Sequence, residues 1–178
     1  MNIFPPALLA QAKDIRALLL DVDGVLTDGG LYFTETGETS KRFNTLDGHG
    51  LKLLQRAGIQ PVIITGRDSA ALRVRLNALN IQHAHFGVED KRRAALSALQ
   101  SLGLSWAQTA AMGDDWPDLP MLLPSTLACA PPHAHHEVLS RVHWVTQAQA
   151  GNGAVREVCD LLLQAGGHYR GLLDEVLA

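Results

Sequence analysis

An apolar run that stops abruptly in charge constrains this chain more than any other feature. In IRALLLDVDGVLTDGG, Leu18, Leu19 and Leu20 lead directly into Asp21, Asp23 and Gly24. A short, continuously apolar run reads as a strand buried on both faces, as in a parallel sheet. Charge cannot follow it into the interior, so the aspartates belong at the strand's carboxyl end. Residues two apart on an extended chain share a face, which aims both carboxylates into one space. Their repulsion calls for an opposite charge, and a divalent metal supplies one.

The same grammar recurs. QPVIITGR (60–67) and TAAMGDD (109–115) are apolar runs ending in polar residues, and weaker strands are read at 83–87, 126–130 and 143–146. Between them, 48–57, 69–79 and 90–102 carry helix formers at helical spacing, with Leu96 and Leu99 in register. Buried strands alternating with helices predict an α/β fold, a doubly wound (Rossmann-like) parallel sheet in one domain spanning 1–178. One stretch breaks the alternation. TDGGLYFTETGETSKRFN has β-prone runs on both sides of Thr36 and Gly37, which predicts a β-hairpin projecting from the carboxyl edge. Ligands of such folds bind at that edge, so the hairpin stands beside the expected site.

Composition excludes several function classes. Fifteen basic against 18 acidic residues leave a charge of −3 with the signs mixed, so no basic face for nucleic acid is expected. No run approaches the roughly 20 apolar residues of a membrane span. The apolar stretch at the amino terminus contains Pro5 and Pro6 and precedes its positive charges, the reverse of a signal peptide. Cys129 and Cys159 each lie in an apolar stretch and read as buried, reduced thiols, which fits the cytoplasm.

Four signals fall in order along the chain: Asp21 and Asp23 after the first strand, Thr65 after the second, Lys91 opening a helix, and Asp114, Asp115 and Asp118 in GDDWPDLP. Each alone is a common turn, cap or solvated residue. Together they resemble the haloacid dehalogenase superfamily, whose motifs run DxDGxxT, Thr or Ser, Lys and GDDxxD. The resemblance implies a phosphatase with Asp21 as nucleophile and Asp23 as general acid and base. Thr65 and Lys91 would hold the phosphoryl group, and Mg²⁺ would sit on Asp21, the Asp23 carbonyl and Asp114. A carboxylate can attack phosphorus and split one hard displacement into two easier ones, with positive charge stabilising both. Only 43 residues separate Asp21 from Thr65, and 25 separate Thr65 from Lys91, so neither interval holds a cap domain.

Among capless members, the stretches DVDGVLTDG, KRFNTLDGHG, IITGR, GDD and GAVREVCDLLL resemble the 3-deoxy-D-manno-octulosonate 8-phosphate phosphatases. That resemblance implies a lipopolysaccharide-precursor enzyme working as a homotetramer, with paired hairpins and shared active sites. Substrate contacts would fall to Asp23, Asn44, Thr45, Leu46, Asp47, Gly48, Lys52, Arg67, Arg75 and Lys91. An arginine fork suits the carboxylate of a sugar acid. One departure stands out: Trp116 and Pro117 stand where other members often carry an aliphatic pair. His49 sits in the Gly-His-Gly that follows Asp47. His133, His135 and His136 lack a matching Cys or acidic set and read as a polar loop and helix start. The alternatives are a nonulosonate 9-phosphate phosphatase, which Arg67 disfavours, and a less specific sugar phosphatase. A phosphorelay receiver would carry its phospho-accepting Asp on a middle strand, and a non-catalytic oligomerisation module would not need the intact acidic set.

Overall fold

A computed structural model of the chain describes residues 3–178. Helix α1 (Pro6–Ala12) leads into β1 (Ala17–Leu20), which is followed by an antiparallel pair, β2 (Tyr32–Thr34) and β3 (Gly37–Ser40). Then α2 (Thr45–Arg56), β4 (Gln60–Ile64), α3 (Ala70–Ala78), β5 (His83–His85) and α4 (Lys91–Leu102) alternate. The remainder runs β6 (Thr109–Met112), α5 (Leu119–Leu122), β7 (Leu127–Ala130), α6 (His136–Leu139), β8 (Trp144–Val145), α7 (Ala154–Ala165) and α8 (Tyr169–Leu177).

Apart from the hairpin, the strands form one sheet in the order β5-β4-β1-β6-β7-β8, parallel throughout. The chain builds outward from β1 on one side through β4 and β5, then returns to add β6, β7 and β8 on the other. The strand order therefore reverses at β1, which makes its carboxyl end the crevice where such sheets bind ligands. In β1, Leu18 and Leu20 pack on one face with Ile63, Ala110 and Met112, beneath α1, α2, α3 and α7. Ala17 and Leu19 pack on the other with Val62, Ile64 and Ala111, beneath α4, α5 and α6. All four β1 side chains are fully buried, and each Leu contributes about 1.5–3 kcal/mol relative to exposure.

The helix expected at 90–102 is present, but it meets the sheet differently. Ala95, Ala98 and Leu99 face inward while Leu96 is exposed. Small alanines let α4 lie close to the sheet, and that choice of face turns Leu96 away. Asp90 caps this helix by accepting from the Arg93 N–H at 3.0 Å, and Gly103, in the left-handed region at φ 67°, ends it. Lys91 is thereby fixed at the first helical position. The hairpin projects as expected, with Leu31, Tyr32 and Phe33 exposed. Helices α1, α7 and α8 were not anticipated. Helix α7 carries Arg156, Glu157, Asp160 and Gln164 along one side, yet Glu157 and Asp160 are buried with its apolar face. No helix among the described residues is long and apolar enough to cross a membrane.

Candidate active site

The carboxyl ends of β1 and β6 and the start of α4 converge on one buried cluster. Lys91 Nζ donates to Asp21 Oδ1 at 2.6 Å and to Asp118 Oδ1 at 2.6 Å. The other oxygen of Asp118 accepts from the backbone N–H groups of Asp114 at 2.9 Å and Asp115 at 3.2 Å. Asp118 thus clamps the loop after β6 and ties it to Lys91. Asp21, Asp114 and Asp118 each present an oxygen within 4.8 Å of the others. Gly24 makes this proximity possible. Its φ is +88°, and a Cβ there would stand 2.2 Å from Asp114 Oδ2.

The electrostatics follow from crowding. Burial, then the neighbouring Asp118, push Asp21 up to about 6, against the pull of Lys91. Burial, then Asp118, Asp21 and Asp115, push Asp114 up to about 8. Burial works against the Lys91 ammonium, but Asp21 and Asp118 outweigh it and hold its pKa above the usual lysine value. One cation among three acids leaves excess negative charge, and oxygen-only donors suit a hard divalent ion such as Mg²⁺.

Asp23 belongs to a second group. Its Oδ1 accepts from Lys41 Nζ at 2.5 Å, and its Oδ2 lies 3.6 Å from Arg67 Nε. Glu38 faces the same two cations, 3.3 Å from Lys41 and 2.9 Å from Arg67. Burial resists the Glu38 charge, but the nearby Arg67, Ser69 and Lys41 hold its carboxyl below the usual range. Thr65, buried at the end of β4, accepts through Oγ1 from the Arg67 N–H at 3.2 Å, which orients the turn carrying Arg67. Arg67 also lies 5.6 Å from the Phe33 ring centre on the hairpin.

The remaining expected substrate residues gather around α2 and α3. Asn44 caps α2, accepting from the Leu46 N–H at 2.7 Å, and its carbonyl accepts from Arg75 at 3.0 Å. Gly48 packs directly under that guanidinium, and a Cβ there would meet Arg75 Nη2 at 2.2 Å. Thr45, Gly48, His49, Lys52 and Arg75 line one cleft, and Leu46 is exposed. Asp47 is different. Its carboxylate is buried and accepts from the N–H groups of Arg156 at 2.8 Å and Gly153 at 3.3 Å, at the start of α7. Its acidic side chain is committed to that helix.

The sequence reading missed the bridging role of Asp118 and missed Lys41 and Glu38 altogether. The spacing of GDDWPDLP marked Asp118 as part of a motif but could not show which way its carboxylate turned. Glu38 and Lys41, three apart on the hairpin's return, looked like ordinary solvated charge. His135 is the cap of α6; its Nδ1 accepts from the Glu137 N–H at 3.2 Å and from Trp116 Nε1 at 3.0 Å. Trp116 thus has a definite partner at the departure from the motif. Both cysteines are free and buried, and burial raises both thiols.

Known proteins resemble this chain in sequence and fold. A family profile for haloacid dehalogenase-like hydrolases matches residues 87–158. A 3-deoxy-D-manno-octulosonate 8-phosphate phosphatase from Yersinia pestis is 41% identical over 163 residues, covering 92% of this chain and 87% of its own. The crystal structure of the corresponding Moraxella catarrhalis phosphatase, in complex with magnesium, phosphate and KDO, superposes with a TM-score of 0.92. It is 35% identical and covers 96% of this chain and 98% of that one. A cobalt-bound phosphatase of this kind from Haemophilus influenzae gives a TM-score of 0.87 at 38% identity, covering 89% and 93%.

Proposed function

The chain belongs to the 3-deoxy-D-manno-octulosonate 8-phosphate phosphatases of the haloacid dehalogenase-like hydrolases, and from that premise we propose how its residues divide the reaction. The reaction is magnesium-dependent hydrolysis of the sugar-acid phosphate to the free acid and phosphate. A carboxylate oxygen of Asp21 forms a bond to phosphorus as the bond from phosphorus to the sugar C8 oxygen breaks. Asp23 gives its proton to the leaving alkoxide. Asp23, now a carboxylate, takes a proton from water, whose oxygen attacks the aspartyl-phosphate and frees both phosphate and Asp21. Lys91 and Thr65 hold the transferring phosphoryl group. Mg²⁺ on Asp21, Asp114 and the Asp23 carbonyl supplies the positive charge that offsets repulsion between anionic nucleophile and anionic ester.

The observation that carries this reading is the buried Asp21–Lys91–Asp118 bridge, with Asp114 alongside, at the crevice where the strand order reverses. Arg67, Arg75, Lys52 and the backbone of 44–48 supply polar and cationic contacts for the sugar acid. Several of them line the α2–α3 cleft rather than the Asp21 cluster, which favours sites completed between chains in a homotetramer. Exposed Leu31, Tyr32 and Phe33 on the hairpin support the same assembly. The enzyme would act in the cytoplasm, on a lipopolysaccharide precursor.

Phosphate release from the octulosonate 8-phosphate and from a nonulosonate 9-phosphate, with and without Mg²⁺, tests the substrate assignment. Preference for the nine-carbon ester would overturn it. The chemical role is tested by Asp21→Asn, which should remove turnover and leave the fold intact. Near-normal turnover by that variant would exclude Asp21 as nucleophile.

A further inference from the structure

The hairpin reaches into the chemistry through two side chains. Lys41 follows β3 directly, and its side chain is only 1% exposed although it carries a full charge. A buried ammonium persists only where carboxylates meet it. Here Asp23 meets it at 2.5 Å and Glu38 at 3.3 Å. Arg67 faces the same two acids from the other side, at 3.6 Å from Asp23 and 2.9 Å from Glu38. Two acids and two cations form a closed ring. Its joints are unequal. Glu38 Oε1 and Arg67 Nε are buried without a hydrogen bond, so the tight links are Lys41 to Asp23 and Arg67 to Glu38.

We propose that Lys41 is a positioning residue for Asp23, held in place by Glu38, and that the hairpin thereby fixes how the Asp23 carboxyl is turned toward the leaving group. The inference rests on Asp23 being the general acid of the reaction above. An ammonium can only donate hydrogen bonds. With Lys41 on Oδ1, the oxygen left for the leaving group is Oδ2, whose other neighbour is the loosely placed Arg67. When Asp23 gives its proton to the leaving alkoxide, the new carboxylate is already paired with a cation and needs no rearrangement. Arg67, bound tightly only to Glu38, remains free to turn its Nε toward the substrate. Glu38 balances the two cations and keeps Lys41 from collapsing onto Asp23 alone.

The test separates leaving groups. The quantity kcat/KM covers only the steps through phosphoryl transfer to Asp21, in which Asp23 acts as acid. A sugar alkoxide needs that proton, whereas p-nitrophenolate leaves without it. In Lys41→Met, kcat/KM for the octulosonate 8-phosphate should fall about 100-fold, the loss typical of a group displaced by an ångström. Turnover of p-nitrophenyl phosphate, measured the same way, should stay close to that of the unaltered enzyme. Lys41→Arg should recover much of the loss. Glu38→Gln, which keeps Lys41 on Asp23, should shift the ratio in the same direction but less, and it guards against a misfolded Met variant. An equal loss on both esters, or no loss on either, would overturn the role of Lys41. Asp23→Asn is the control. If it discriminates between the esters and Lys41→Met does not, Asp23 remains the acid and only the inference about Lys41 falls. If Asp23→Asn fails to discriminate, the acid assignment falls and takes this inference with it.

Discussion

Replacing Asp47 with Ala should weaken the fold and leave substrate binding nearly intact. Helix α7 begins at Gly153, which has no side chain to cap it, so Asp47 supplies the missing acceptor from α2 across 106 and 109 residues of sequence. The bond to Arg156 N–H at 2.8 Å is well formed, and that to Gly153 N–H at 3.3 Å is long. A hydrogen bond to a charged group is worth about 1.5–3 kcal/mol, and loss of an N-cap typically costs about 1 kcal/mol. Burial raises the Asp47 pKa, so part of that gain already offsets the cost of keeping a charge inside. A net loss of about 2 kcal/mol remains after that offset. For a chain of 178 residues this lowers Tm by about 4–8 °C. The assay is thermal unfolding of Asp47→Ala at fixed protein and Mg²⁺ concentration, with KM measured on the same preparation. An unchanged Tm with a KM raised about tenfold, a difference of 1.4 kcal/mol, would show that the carboxylate serves substrate and that its place under α7 is incidental.

The metal site gives a pH dependence with a definite sign. Asp21 at about 6 and Asp114 at about 8 lie above their ordinary 3.8, so the metal-free folded protein binds protons more tightly than the unfolded chain. Its stability therefore falls as pH rises through that interval, while Mg²⁺, which must displace those protons, binds better. Thermal unfolding with and without Mg²⁺ should show the ion's stabilisation growing from pH 6 to pH 8, and a pH-independent increment would contradict the assigned ligands. Chelation should remove turnover and Mg²⁺ restore it; full activity in excess chelator would exclude the ion from the reaction. Charged residues at Tyr32 and Phe33 should dissociate the proposed tetramer and lower activity without touching Asp21, as read by light scattering beside kinetics. A wild-type monomer with full activity would refute the shared site, and a tetramer indifferent to those changes would refute the hairpin interface.

Local pattern was enough to determine the sheet. A run such as Leu18, Leu19 and Leu20 can be buried only between two layers, and the polar residues that end it can lie only at the sheet edge. The placement of Asp21, Thr65, Lys91 and Asp114 at that edge was legible for the same reason, since each sits where a periodic element stops or starts. The face of α4 was not, because Leu96 and the inward alanines fit a helix equally well until the sheet selects between them.

Direction and partnership were decided by tertiary structure. Asp47 lies in a stretch that reads as substrate-facing, yet its carboxylate turns to the bare end of a helix more than a hundred residues away. Lys41 and Glu38 look like surface charge along the chain, and they join Asp23 and Arg67 in a partly buried ring only because the end of the hairpin packs beside Asp23. Sequence spacing specifies which residues share a face of one element. Which carboxylate meets which cation depends on how separate elements pack, and that is where a buried charge finds the partner without which it could not stay charged.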